Sequence, residues 1–264
     1  MRVSLLQLRV DQDESADSRR ERAASLVREQ AGTADLVVLP ELWTTGAFAF
    51  DTFDEEAEPV PGGPTAEAMS AAARDAGVWL HAGSVVERVQ GDGGERELFN
   101  TSLVFSPDGT LARTYRKIHR FGFDRGEATL MSAGREPVTV PHPEATLGLA
   151  TCYDFRFPEL FRALVDRGAR VLVVPAGWPE KRAAHWTLFA RARAVEEQAY
   201  VLACGTAGTH AGVPQAGLSM VVDPWGEVLA EAKGNEEQVV RAEFDPSQVD
   251  AVRESFPVLK DRVL

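Results

Sequence analysis

The chain has 264 residues, 44% of them hydrophobic and 26% charged, which is ordinary globular composition and excludes disorder and coiled coil. Lys and Arg total 28 against 40 Asp and Glu, a formal net charge of −12, so a basic face for nucleic acid is not expected. The opening apolar run Val3–Leu8 lacks the flanks of a secretory signal, and the longest charge-free run, Gln198–Val222, is too broken by Gly and Pro to span a bilayer.

In chain order, β-branched and apolar runs predict strands over Val3–Leu8, Leu36–Leu39, Trp79–Gly83, Ser102–Phe105 and Leu111–Tyr115. Helical patterns fit Arg19–Gln30 and Thr65–Ala76, the second closed by Gly77. Pro107-Asp108-Gly109 supplies turn chemistry for a hairpin over residues 100–115. The segment Phe121–Pro143, rich in Gly, Pro and charge, reads as a long site loop bridging two halves.

The second half repeats the order. Strands fit Leu147–Ala150, Val171–Val174, Tyr200–Cys204, Leu218–Val222, Val228–Ala230 and Val239–Glu243; helices fit Pro158–Arg167, ended by Gly168, and Ala183–Gln198. Two similar halves predict an α/β fold in which two sheets lie face to face with helices outside, within one domain over 1–264. A single doubly wound sheet with antiparallel edge strands is the alternative. The tail from about 245 to 264 shows helix signal only over Gln248–Glu254.

Chemistry concentrates at few positions. Two distant cysteines, Cys152 and Cys204, make neither a zinc site nor a disulfide framework, which fits a reducing cytoplasm. Cys152 ends a strand and precedes a helix, where backbone N–H groups can steady a thiolate or an oxyanion. Cys204 ends the apolar run Tyr200–Ala203 and reads as a small core residue. Glu41 follows the strand Val37–Leu39 and Pro40, a setting in which a buried carboxylate can act as a base. Lys117, just past the hairpin, can lower the pKa of a nearby thiol or hold an oxyanion. Among the five histidines, His81 reads as core and His142, between two prolines, as loop surface; spacing selects none of them as a partner for Cys152.

Three segments together resemble the signature blocks of the carbon–nitrogen hydrolase (nitrilase) superfamily: Pro40-Glu41-Leu42-Trp43, Arg116-Lys117-Ile118-His119 and Thr151-Cys152-Tyr153-Asp154-Phe155-Arg156-Phe157-Pro158-Glu159. His185-Trp186, Arg191–Glu196 and Asp223-Pro224-Trp225-Gly226 are similar to further family segments, so the resemblance runs from Met1 to about Phe244. It implies a four-layer α-β-β-α sandwich, a homodimer, no metal and no organic cofactor. It also implies a catalytic set of Glu41, Lys117 and Cys152, with a second glutamate that is Glu127, or else Glu136, in the following loop.

The Cys-Tyr-Asp order resembles the amidase side of the superfamily, and Arg156 matches an arginine that receives a substrate carboxylate in ω-amidase-like branches. The resemblance therefore implies a small carboxylate-bearing amide substrate, a thioester on Cys152, release of ammonia, and an oxyanion held by Lys117 and the Tyr153 N–H. Thr209-His210 is similar to deaminated-glutathione amidases, a second substrate class; N-carbamoyl amino acids are a third. Arg156 could instead be a structural ion-pair residue, partnered by Glu159 or Asp154. A non-catalytic small-acid-binding protein on the same fold is the reading from another class. The chain departs from the family pattern at Cys204, Gly205 and Leu218.

Overall fold

The computed structural model describes residues 1–11, 13–90 and 94–263. The first half runs through strand Arg2–Gln7, helix α1 (Ala16–Arg28), strand Leu36–Val38 and helix α2 (Pro64–Ala76). Antiparallel strands Trp79–Gln90, Arg96–Phe105 and Leu111–Arg116 follow. A connection carries the short helix α3 (Glu127–Leu130) and strand Val138–Pro141. The second half then repeats the theme: strand Thr146–Leu149, helix α4 (Pro158–Asp166), strand Val171–Ala176, helix α5 (Ala183–Glu197), strand Tyr200–Gly205, and the pair Met220–Val222 and Val228–Glu231. Strand Gln238–Glu243 and helix α6 (Gln248–Ser255) complete the chain.

Each half builds a six-stranded sheet around three parallel strands. The outer edge beside the first strand of each sheet is filled by the other half. Gln238–Glu243 runs antiparallel to Arg2–Gln7, with Arg2 opposite Glu243; Val138–Pro141 runs antiparallel to Thr146–Leu149, with Val138 opposite Leu149. The two halves thus exchange their last strands. The arrangement is the predicted two-sheet sandwich and not one doubly wound sheet.

Period-two alternation sorts the strand side chains between layers. Leu36 and Val38 join Val3, Leu5, Leu147, Val173 and Leu202 in the core between the sheets, whereas Val37 and Leu39 pack with Ala23, Val27, Met69 and Ala73 of α1 and α2. Each fully buried Val or Leu contributes roughly 1.5–3 kcal/mol. Strand Val171–Ala176 is buried at every position, as a central parallel strand covered on both faces must be.

The sequence reading needs correction in four places. Helix α1 begins at Ala16, three residues early, because the Ser15 hydroxyl accepts the Ser18 N–H as an N-cap. The presumed loop Phe121–Pro143 contains α3 and the edge strand Val138–Pro141, whose β-branched Val-Thr-Val outweighs the prolines beside it. His142, at the end of that strand, is buried against Trp79 (ring centroids 5.5 Å apart) and is not surface. Three very short strands, Arg9–Val10, Ala207–His210 and Val213–Pro214, pair in a small sheet too brief to leave a periodic signal. No helix among the described residues is long and apolar enough to cross a membrane.

Candidate active site

Glu41, Lys117 and Cys152 arrive from three strand ends. Beyond Leu36–Val38 the chain turns sharply, with Leu42 at φ 43°, and the Leu42 N–H donates to the Ser84 hydroxyl. That turn fits only because Gly83 (φ 66°) bulges the neighbouring strand; a Cβ there would lie 1.9 Å from the Pro40 carbonyl oxygen. Lys117 follows strand Leu111–Arg116, and its carbonyl accepts the N–H of Gly134, where a Cβ would lie 1.9 Å from the Arg116 carbonyl. Cys152 opens a single 3₁₀ turn at φ 47°, a left-handed conformation that costs a non-glycine residue on the order of 1–3 kcal/mol.

Two devices hold that strained turn. Thr151 and Asp154 form a capping box, the Asp154 Oδ2 accepting the Thr151 N–H at 2.8 Å. Buried Asp154 also accepts the Tyr115 hydroxyl (2.7 Å) and the His119 backbone N–H (3.0 Å), and meets the His119 ring at 2.7 Å. One carboxylate therefore ties the hairpin end that carries Lys117 to the turn that carries Cys152.

The carboxylates meet in a dry cluster. Lys117 Nζ donates to Glu41 Oε1 at 2.6 Å and to Glu127 Oε2 at 2.7 Å, with all three side chains nearly inaccessible to solvent. The Asn100 amide donates to Glu41 Oε1 at 2.8 Å and to Glu127 Oε1 at 2.6 Å. The Gly177 N–H donates to Glu41 Oε2 at 2.8 Å. Glu127, on α3, is the glutamate beside the lysine; Glu136 lines a separate surface cleft.

Burial pushes the Lys117 ammonium down, but the charges of Glu127 and Glu41 outweigh it and hold the group well above its ordinary pKa. Burial, reinforced by the Glu41 charge and opposed by Lys117, raises Glu127. Burial and the Glu41 carboxylate likewise raise the Cys152 thiol well above its ordinary value, despite Lys117. This corrects the expectation of a thiolate stabilised by the lysine: the ammonium is already shared by two carboxylates, so the resting thiol keeps its proton.

These groups line one pocket, walled by Ala47, Phe48, Phe121, Tyr153, Arg156, Gly177, Trp178, Pro179 and Arg182. No histidine lines it. His81 and His210 are buried and held neutral, their pKa values pushed down to about 4 and about 3 by burial. His210 Nδ1 accepts the Ala47 N–H at 3.0 Å, bracing the pocket wall from behind. Cys204 is core, as expected, its thiol facing the Leu6 and Val38 carbonyls. Arg156 lies near Tyr153, Trp178 and Phe189, its guanidinium carbon 5.1 Å from the Trp178 centroid, with no carboxylate in ion-pair reach among the described residues. Its alternative as a partner of Asp154 or Glu159 is not realised. No cluster of three or more His, Cys, Asp or Glu suited to a metal ion occurs among the described residues.

Sequence reasoning missed Asn100 and Arg182. An amide in the middle of the buried stretch Leu98–Phe105, where β-propensity disfavours it, was the available signal for the first. The second, a lone cation at the end of a Pro-initiated turn, carried none.

Comparison with known proteins follows the same lines. A family model described as carbon–nitrogen hydrolase matches residues 2–254. A 2-oxoglutaramate amidase of Paenarthrobacter nicotinovorans is 41% identical over 98% of this chain and 88% of its own. The human omega-amidase NIT2 is 37% identical, over 99% and 94%. Among solved structures, Saccharomyces cerevisiae Nit3, of branch 10 of the nitrilase superfamily, superposes with TM-score 0.89 at 30% identity, covering all of this chain and 97% of its own. A Xanthomonas campestris protein of the CN-hydrolase superfamily gives TM-score 0.90 at 31% identity, with the same coverage.

Proposed function

The chain belongs to the carbon–nitrogen hydrolase family, and on that footing we propose that it is an ω-amidase-like enzyme, hydrolysing the amide of a small carboxylate-bearing molecule through a Cys152 thioester. The observation that carries this reading is the meeting of Cys152 with a buried Glu41–Lys117–Glu127 cluster in one pocket that also presents the Arg156 guanidinium, which meets the His185 ring at 3.4 Å and has no carboxylate in ion-pair reach among the described residues.

In this mechanism Glu41 takes the Cys152 proton as sulfur attacks the amide carbon. Its Oε2, with Gly177 N–H as its one donor, has the capacity to receive that proton; Oε1 already accepts from Lys117 and Asn100. The oxyanion is held by Lys117 and the Tyr153 N–H. Glu41 returns the proton to nitrogen, the C–N bond breaks and ammonia leaves. Water, deprotonated by Glu41, then attacks the thioester carbonyl, releasing the acid and restoring the thiol. Glu127 keeps Lys117 charged and oriented. Arg156 receives the substrate carboxylate through its planar fork.

A homodimer is part of the proposal. It is supported by an exposed apolar strip of Leu188 and Val195 on α5, Trp225 and Phe256, the last two stacked with centroids 6.3 Å apart.

The test is ammonia release by purified protein from 2-oxoglutaramate, succinamate, deaminated glutathione, N-carbamoyl-β-alanine and an uncharged aliphatic amide. Turnover confined to the short acid amides is expected, with Cys152→Ala and Glu41→Gln both inactive and folded by circular dichroism. Turnover retained in either variant would overturn the mechanism, and turnover of the uncharged amide alone would remove Arg156 from recognition.

A further inference from the structure

The pocket holds a second guanidinium that the mechanism above does not use. Arg182 lines it alongside Arg156. Its guanidinium carbon stands 5.6 Å from the centroid of Phe121, and Phe121 meets Tyr153, itself near Arg156, edge to face at 5.5 Å. Neither arginine has a carboxylate in ion-pair reach among the described residues, whereas Lys117, deeper in, is shared by two. Two carboxylates, Glu41 and Glu127, thus share one pocket with three cationic side chains, Lys117, Arg156 and Arg182. Stacking on an aromatic ring steadies a guanidinium through its face and leaves its in-plane N–H donors for a ligand.

Arg182 is also positioned by a relay from the reacting end. Glu41 accepts the Gly177 N–H at 2.8 Å, the next residue is Trp178, and the Trp178 indole donates to the Arg182 carbonyl at 2.8 Å. The Arg182 N–H closes the turn on the Pro179 carbonyl at 2.9 Å, and the Trp178 carbonyl accepts from Ala216 at 2.7 Å. Six residues, Gly177–Arg182, thus connect Glu41's hydrogen-bond partner to the backbone from which the Arg182 side chain springs. A half-buried guanidinium on a fixed backbone, stacked near Phe121 and with no carboxylate in ion-pair reach, is suited to receive an anion.

We propose that Arg182 is a specificity-determining residue that binds the acid end of the substrate together with Arg156, restricting the enzyme to monoamides of short dicarboxylic acids. The proposal rests on the amidase reading above. A neutral end group would leave both guanidiniums without an anionic partner and so bind less well than a carboxylate.

The experiment compares kcat/KM for succinamate with that for its uncharged counterpart, succinamide, in wild type, Arg182→Met, Arg182→Lys and Arg156→Met. Arg182→Met is expected to lose about 10- to 100-fold on succinamate and little on succinamide, chiefly through KM, with Arg182→Lys in between. Equal losses on both substrates, or no loss on either, would overturn the role of Arg182. Selective loss in Arg156→Met but not Arg182→Met would reject this inference alone. Absence of selective loss in both would reject the acid-amide reading itself.

Discussion

Asn100 and Lys117 donate to the same two carboxylates. The amide bridges Glu41 and Glu127 at 2.8 and 2.6 Å, and the ammonium bridges them at 2.6 and 2.7 Å, closing a ring of four side chains. Two buried carboxylates this close are tolerable only because each has two donors within the ring. The neutral partner matters as much as the charged one: it fixes the spacing of the pair without adding a second cation that would compete for the oxyanion.

Removing that amide should therefore cost rate more than binding. Asn100→Leu is expected to lower kcat about 10- to 100-fold with KM little changed, and to destabilise the fold by about 1–3 kcal/mol through lost buried hydrogen bonds. Asn100→Asp adds a third carboxylate, so the acid limb of the pH–rate profile should move to higher pH. A profile and kcat unchanged from wild type would remove Asn100 from the machinery.

The thiol should titrate late. Because burial and Glu41 raise the Cys152 pKa, the rate of iodoacetamide alkylation should keep rising beyond the ~8.5 of a free cysteine. Glu41→Gln removes a raising charge and should bring the midpoint down; Lys117→Met should push it further up. A wild-type midpoint below 8 would show a preformed thiolate and contradict proton transfer to Glu41 during attack.

Glu197, on α5, gives the fold a pH dependence. Burial, opposed mainly by Arg162, raises its carboxyl from 4.5 to about 7, and neither oxygen accepts a well-formed hydrogen bond. A carboxyl raised in the folded state binds more protons folded than unfolded between those values. Stability attributable to it is thus full below 4.5 and falls as pH rises to about 7. Glu197→Gln should raise Tm at pH 8 and leave it nearly unchanged at pH 4.5. A lower Tm at pH 8 would mean that the Arg162 pair outweighs desolvation.

Association can be tested on the apolar strip. Sedimentation should give twice the 28.7 kDa chain mass for wild type and the chain mass itself for Leu188→Glu with Trp225→Glu. A wild-type monomer would refute the homodimer.

What the sequence made legible was whatever its local patterns encode. Val37 and Leu39 alternate with Leu36 and Val38, so the strand leading to Glu41 was readable, and Gly77 and Gly168 marked helix ends. The three motif blocks pointed to Glu41, Lys117 and Cys152 only through their joint resemblance to the family's signature. Asn100 was hidden because its meaning lies 59 residues away at Glu41 and 27 away at Glu127. Strand Val138–Pro141 was hidden for a local reason: Pro137, Pro141 and Pro143 mask a β-branched Val-Thr-Val that pairs with Thr146–Leu149 just beyond it. The net effect on the thiol depended on how two carboxylates share one lysine, which no motif records.

The exchanged edge strands also set the order in which the molecule can be finished. Val3 and Leu5 lie early in the chain, yet the backbone of their strand lacks one neighbour until residues 238–243 are available. A nascent first half therefore emerges with an unfilled sheet edge, and the longest loop closure waits until residues 238–243 have been made. An open edge of this kind is a template for stray pairing between chains. A ribosome stalled after residue 230 should accordingly hold a protease-sensitive, self-associating chain, and release of the last strand should convert it to the native form in one cooperative step.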